Sequence, residues 1–284
     1  MTDPVRSRQL SELDEVNLCT RLLYHARSEL YVNMHYLDIA LSSLGFEADW
    51  GRRGAAVDGA VIFYGPDFLL ERYKKGRVLI NRMYLHMVFH CLFCHMYTRK
   101  GRDADFWNLA CDISMEWLID GLPEKCVHVP QSALRRETYL RLKKAMAPPF
   151  TAERIYRALK AMELPERRLA QFLVDQHDLW EQEPDARQAV TRQNLWNDNR
   201  EKMQTEMETR GQEDGENDLD MTRMLQVENR ERYDYRQFLR KFAVLREELL
   251  TDPDSFDTAF YTYGLSLYGN MPLIEPLETR DPVR

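Results

Sequence analysis

The sequence predicts a mostly α-helical α+β fold with one small β-hairpin. Three observations carry this. Leu13, Val16, Leu23, Leu30, Leu37 and Leu41 recur near helical spacing over residues 9–44, with charges between them. The stretch 78–98 is hydrophobic on nearly all sides, and DFWNLACDISMEWLIDGL follows it as a second buried helix. Only AAVDGAVIFYGP reads as β structure: β-branched and aromatic residues surround an Asp58-Gly59 turn signal.

The first helix should run to Gly45. His25 and His35 lie on it and read as packing or surface histidines. The hairpin pairs Gly54–Val57 with Ala60–Tyr64 and closes at Gly65-Pro66. Residues 67–75 form a short helix with Asp67 as N-cap, stopped by Gly76. The apolar helix 78–98 ends in Arg99-Lys100-Gly101-Arg102, positive charge where the helix dipole favours it. Asp103 caps the next helix, which stops at Gly121-Leu122-Pro123. Beyond it lie a loop and a helix, a Pro-Pro break, a helix over Thr151–Met162 with Thr151 as N-cap, and another over Pro165–Asp175. His128 and His177 fall in or beside loops. The run TEMETRGQEDGENDLD is acidic and nearly without apolar residues, so 181–222 reads as an acidic flexible loop. A helix returns over Tyr233–Leu250, and an aromatic tail punctuated by Gly and Pro follows it. The domain organisation expected is a folded domain over 1–180, the loop 181–222, and a helix and tail over 223–284 that pack back on the core.

Composition narrows the function classes. A chain of 284 residues buries a sizeable core, and a net charge of −7 argues against nucleic acid or an anionic membrane as the main partner. The start, MTDPVRSRQL, shows no signal peptide, and no apolar run is long enough to span a bilayer. Cys19, Cys91, Cys94, Cys111 and Cys126 are irregularly spread, which reads as reduced thiols in a cytoplasm.

The chemistry concentrates in YLHMVFHCLFCH, from Tyr84 to His95. His86 and His90 are four apart, so on a helix they stand one above the other and can share one metal ion. The best-known form of this spacing is H-E-x-x-H, with the Glu as general base; here Met87 holds that position. A zinc site needs at least three protein ligands. Asp112, four residues before Glu116 on the next buried helix, ranks first as the third, with Glu116, His95 and Cys94 as alternatives. His95 qualifies only if its helix bends or ends early, since nine residues on it points nearly the opposite way. The bland alternative is a core in which the histidines simply pair with Asp112 and Glu116. Cys91-Leu92-Phe93-Cys94-His95 also matches the haem attachment pattern C-x-x-C-H, but it sits mid-helix in an apolar run with no export signal. A redox C-x-x-C belongs at a helix N-terminus, which this is not.

The chain resembles a bacterial family of metallopeptidase-like domains, domain of unknown function 2201, found before von Willebrand factor A-like domains. The resemblance rests on Asp58-Gly59, YLHMVFHCLFCH at 84–95, RDADFWNLACDISME at 102–116, HDLW at 177–180, YRQFLRKFAV at 235–244 and FDTAFYTYGLSLYGNMPLIEPLE at 256–278. It implies a zincin-like metallopeptidase fold with His86 and His90 on the metal helix and a bound zinc. It also implies a following von Willebrand A-like domain, whose D-x-S-x-S motif is not reached by Arg284, and a MoxR-type AAA+ ATPase as partner. Members with H-E-x-x-H use that Glu as general base. A thioether cannot take a proton from water, so Met87 leaves either Glu116 or Asp112 to act as base, or a site without hydrolysis.

Overall fold

The computed structural model describes residues 4–161, 170–180, 186–214, 219–232, 246–256, 258–269 and 276–283. The mostly α-helical α+β class is the one observed. Two units separate, Met1–Asn229 and Arg230–Arg284.

In the first unit, α1 (Pro4–Asn33) buries Cys19, Leu23, Ala26 and Leu30 on one stripe. The single helix expected to Gly45 is broken. Met34 leaves helical geometry at φ −135°, and a 3-10 turn (His35–Leu37) leads into α2 (Asp38–Ser42), so that Leu37, Leu41 and Leu44 are buried as well. His25 is exposed and His35 half-buried, clear of the site described below.

The small sheet has three strands in the order β1–β3–β2: β1 (Gly45–Ala48) runs parallel to β3 (Val61–Tyr64), and β2 (Ala55–Val57) pairs antiparallel with it. The hairpin matches expectation; β1 was not expected, because GFEA carries no β-branched residue. At the turn, Asp58 Oδ1 accepts from the Ala60 and Val61 amides at 2.8 Å each. Gly59 sits at φ +90°, and a Cβ there would lie 2.3 Å from the Tyr97 hydroxyl.

Helix α3 (Pro66–Lys75) starts with Pro66 at its first position and Gly65 as N-cap, so Asp67 is a first-turn acid rather than the cap. Helix α4 (Arg77–Leu92) is buried from Ile80 onward. It stops six residues short of the expected end because Cys94 turns left-handed (φ 56°, ψ 30°) and a 3-10 turn, His95–Tyr97, takes over. The Arg200 guanidinium donates to the freed Leu92 carbonyl at 3.2 Å. Asp103 caps α5 (Ala104–Gly121) as expected, accepting from the Phe106 amide. Helix α6 (Ala133–Ala145) is capped by Ser132, and α7 (Ala152–Ala161) packs on α5, with Thr151 Oγ1 accepting from the Arg154 amide.

Three expectations need correction. The helix over Pro165–Asp175 lies partly outside the described residues; from 170 to 175 the chain is turn and irregular. The acidic loop over 181–222 is instead largely helix: α8 (Ala186–Asp214) and the start of α9 (Leu219–Arg232). Trp196, Arg200, Met203 and Met207 recur at helical spacing and are buried, while Lys202, Thr205 and Glu208 carry the polarity outward. In α9, Met221, Met224 and Leu225 are buried. Of the helix expected over Tyr233–Leu250, 233–245 lies outside the described residues, and 246–250 belongs to a strand.

That strand, β4 (Arg246–Phe256), lies in the second unit and pairs antiparallel with β5 (Pro276–Val283), from Arg246 opposite Val283 to Asp252 opposite Leu277. Between them α10 (Thr258–Tyr268) takes up the aromatic part of the tail; 270–275 lies outside the described residues. Among the described residues no helix is long and apolar enough to cross a membrane.

Candidate metal centre

Helices α4 and α5 meet along two stripes of polar residues set four apart. On α4 these are Arg82, His86 and His90; on α5 they are Asp112, Glu116 and Asp120. The stripes run in opposite directions. Arg82 reaches Glu116 and Asp120, His86 lies between Glu116 and Asp112, and His90 faces Asp112. Each of these side chains is buried, so each needs a partner, and the ladder supplies it.

A third segment completes the cluster. Gln176 bridges to Ala56 in parallel fashion, and its amide donates to the Ala55 carbonyl at 2.7 Å. Asp175 and His177 therefore flank a sheet-bound residue in extended chain and share one face. Further ties hold this strap. The Arg52 guanidinium grips Asp178 at 2.8 and 2.9 Å, and Trp180 Nε1 donates to the Val57 carbonyl at 3.1 Å. The Trp180 ring stacks on His177 with centroids 3.8 Å apart.

Four donor atoms converge, and a fifth, on His177, stands beside two of them. His86 Nε2 and His90 Nε2 are 2.8 Å apart. Asp112 Oδ1 lies 3.4 Å from the first and 3.3 Å from the second. Asp175 Oδ1 lies at 3.4 and 3.7 Å from the same two atoms. His177 Nε2 is 3.2 Å from each of the two carboxylate oxygens. Ligands about 2.0–2.1 Å from a zinc ion in a tetrahedron stand about 3.4 Å from one another, the spacing most of these pairs show. His86, His90, Asp112 and Asp175 form a group with metal-ligating proximity.

Hydrogen bonding tests whether a cation fits. Asp112 Oδ2, both Asp175 carboxylate oxygens and His177 Nε2 are buried without a hydrogen-bond partner. Polar atoms 3.2 Å apart that make no hydrogen bond are donors that a cation would satisfy. Two carboxylates and three imidazoles around a divalent ion sum to zero charge, which suits a buried site. The residues fit a metal.

The electrostatics show how tightly the acids hold positive charge. Burial disfavours a charged His86, but the carboxylates of Asp112, Asp175 and Glu116 outweigh it and hold its pKa well above the usual value. For His177 the same contest, burial against Asp112 and Asp175, ends at about 10. His90 falls to about 4 through burial and the charge on His86. Asp112 and Asp175 resist burial and stay below the usual carboxylate range, chiefly because of His177.

The residues singled out from sequence fall into two groups. His86, His90 and Asp112 come together, joined by Asp175 and His177, which sequence reasoning did not select. The alternatives fall elsewhere. Glu116 Oε1 lies 2.9 Å from His86 Nδ1, on the far side of the ring from the cluster, and its Oε2 is bound by Arg82 and Arg135. It is neither ligand nor base in this geometry. His95 reaches the site because α4 ends early, but its Nδ1 meets His90 Nδ1 at 2.9 Å, again behind the ligand face. Cys94 Sγ points to Asn197 Oδ1 at 3.5 Å. Met87 is fully buried within α4. All five cysteines are free and buried. The signal for the strap was Asp-x-His at a two-residue spacing just before the Asp178-Leu179-Trp180 run.

Comparison with curated proteins gives no match, and neither does comparison with solved structures. A family model described as a putative metallopeptidase domain matches residues 20–255, which takes in both helices, the hairpin and the strap, and the chain belongs to that family.

Proposed function

We propose that this metallopeptidase-like domain holds one zinc ion among His86, His90, Asp112, Asp175 and His177, and that it has little or no peptidase activity. The observation that carries the metal is Asp175: both of its buried carboxylate oxygens lack hydrogen bonds, while its Oδ1 stands 3.4 Å from His86 Nε2, 3.7 Å from His90 Nε2 and 3.2 Å from His177 Nε2. Zinc is favoured by a donor set rich in imidazole. Two features support low activity. Met87 cannot accept a proton where the H-E-x-x-H base would stand. The four side chains already grouped, His86, His90, Asp112 and Asp175, also exceed the three that a catalytic zinc site keeps.

Metal analysis of the purified chain should find one zinc per molecule, lost in His86→Ala and His90→Ala. Wild-type chain without metal, and unchanged stability in both variants, would overturn the reading. Incubation with unfolded casein should give no cleavage by the wild type, and cleavage by Met87→Glu would show a competent but disarmed site.

One observation favours a second reading, a slow hydrolase. Asp175 carries two oxygens without hydrogen bonds, and it lies beside His177, whose side chain is 6 % exposed at the edge of the cluster. When bound, the metal would polarise a scissile carbonyl, and Asp175 is the carboxylate placed to take a proton. Wild-type cleavage abolished by Asp175→Asn, with zinc retained, would select this reading.

The proposed partners are a von Willebrand A-like domain and a MoxR-type AAA+ ATPase, supported by the resemblance alone. Co-purification with the tagged chain tests them. A reducing cytoplasm is the proposed compartment, supported by the five free cysteines.

A further inference from the structure

Behind His86 lies a second polar cluster, which touches the proposed centre through the His86 ring. Glu116 is fully buried. Its Oε1 sits 2.9 Å from His86 Nδ1. Its Oε2 accepts from Arg82 Nε at 3.0 Å, from the same guanidinium at 2.6 Å, and from Arg135. Arg82 also donates to Asp120 at 2.5 Å and to the Val127 carbonyl at 3.2 Å, while the Tyr139 hydroxyl donates to Asp120 at 2.9 Å. Two guanidiniums and two carboxylates thus close a neutral, buried frame that meets the proposed centre at the His86 ring.

That arrangement has a directional consequence. An ionised carboxylate only accepts, so the hydrogen on His86 Nδ1 must point to Glu116. The lone pair available for ligation is then on Nε2, the atom that faces His90, Asp112 and Asp175. Without that contact nothing on the Nδ1 side selects the tautomer or holds the ring angle. The frame sets both, because two arginines fix Glu116 on its other oxygen.

We propose that Glu116, held by Arg82 and Arg135, is the positioning residue of the metal centre: it sets the tautomer and ring angle of His86 so that Nε2 meets the ion. This rests on the metal reading above. It assigns to Glu116 neither ligation nor proton transfer to a substrate.

The test compares the full-length wild type with Glu116→Gln, titrated with Zn2+ against a competing chelator and with Co2+ by absorption spectroscopy. An amide oxygen still accepts from Nδ1, but its NH2 group meets the guanidiniums and loosens the frame. Affinity should fall by about 10- to 100-fold and the Co2+ ligand-field bands should shift. Unchanged affinity and bands, whatever happens to the melting temperature of the metal-free protein, would overturn the proposal and make Glu116 a purely structural residue. Should Glu116→Gln fail to fold, nitrogen-15 correlation spectra of the zinc-loaded wild type decide. Hydrogen on His86 Nδ1 supports the assignment; hydrogen on Nε2 overturns it. A wild type that binds neither Zn2+ nor Co2+ sinks the metal reading itself, a result separate from a wild type that binds while Glu116→Gln binds equally well.

Discussion

The two halves of the candidate centre are built by different means. His86, His90 and Asp112 ride on α4 and α5, where a four-residue spacing sets the histidine pair before any tertiary contact forms. Asp175 and His177 stand on an extended strap that owes its position to long-range ties: Gln176 to Ala55, Arg52 to Asp178, and Trp180 to Val57. The helices determine where a cation sits. The strap determines how completely it is enclosed, since the His177 side chain, 6 % exposed, stands at the edge while the other four side chains are fully buried.

Substitutions should rank the halves. Asp112→Asn is expected to have the largest effect. With about 10–16 kcal/mol of zinc binding shared among four or five ligands, loss of one on the rigid face weakens affinity by about a hundredfold or more. Chelator competition measures this, and an equal loss from Asp175→Asn would erase the distinction between the halves.

Acidity comes next. His86 lies well above its usual pKa and His177 at about 10, so both rings carry protons at neutral pH when no ion competes. Each must shed one to ligate, so affinity should rise with pH, by up to about tenfold per unit for each proton released, and level off above about 10 for His177. Calorimetry of zinc binding in two buffers of different ionisation enthalpy counts those protons. Uptake with none released would contradict the assignment of His177 as a ligand.

His177→Ala should cost less than Asp112→Asn, about tenfold, because the strap encloses rather than founds the site. Trp180, stacked on His177, reports the event: zinc should change its fluorescence in the wild type and much less in the variant. The smallest effect belongs to Arg52→Ala. Arg52 pairs with an Asp178 carboxylate that is 54 % exposed, so the tie is worth about 1 kcal/mol or less, and zinc affinity should drop no more than about fivefold. A collapse of affinity there would mean that the strap has no other effective anchor.

This contrast also explains what the sequence could and could not reveal. His86, His90 and Asp112 were legible because helical periodicity is local. The early end of α4 was not, since Cys94 turns left-handed in a stretch that reads as continuous helix. Arg82 and Asp120 repeat the four-residue pitch of the histidines and acids, so the whole ladder is written in the sequence, although neither residue was singled out from it. Asp175 and His177 depend on a bridge to β2, a contact that no local pattern encodes. Helix α8 was hidden by composition: the acidic run from Thr205 onward outweighed the stripe of Trp196, Arg200, Met203 and Met207 that buries it.

The ladder has a consequence for folding. Opposite charges at one pitch, basic on α4 and acidic on α5, act as a key for the register of two otherwise greasy helices. Slide α4 one turn along α5, about 5.4 Å, and apolar contacts alone would scarcely object. In one direction, however, Val78 would come to face Glu116 and Asp120; in the other, Arg82 would pass beyond Asp120, off the end of the acidic stripe. Only one alignment leaves every buried charge answered, so the residues that gather a metal also tell the core how to close.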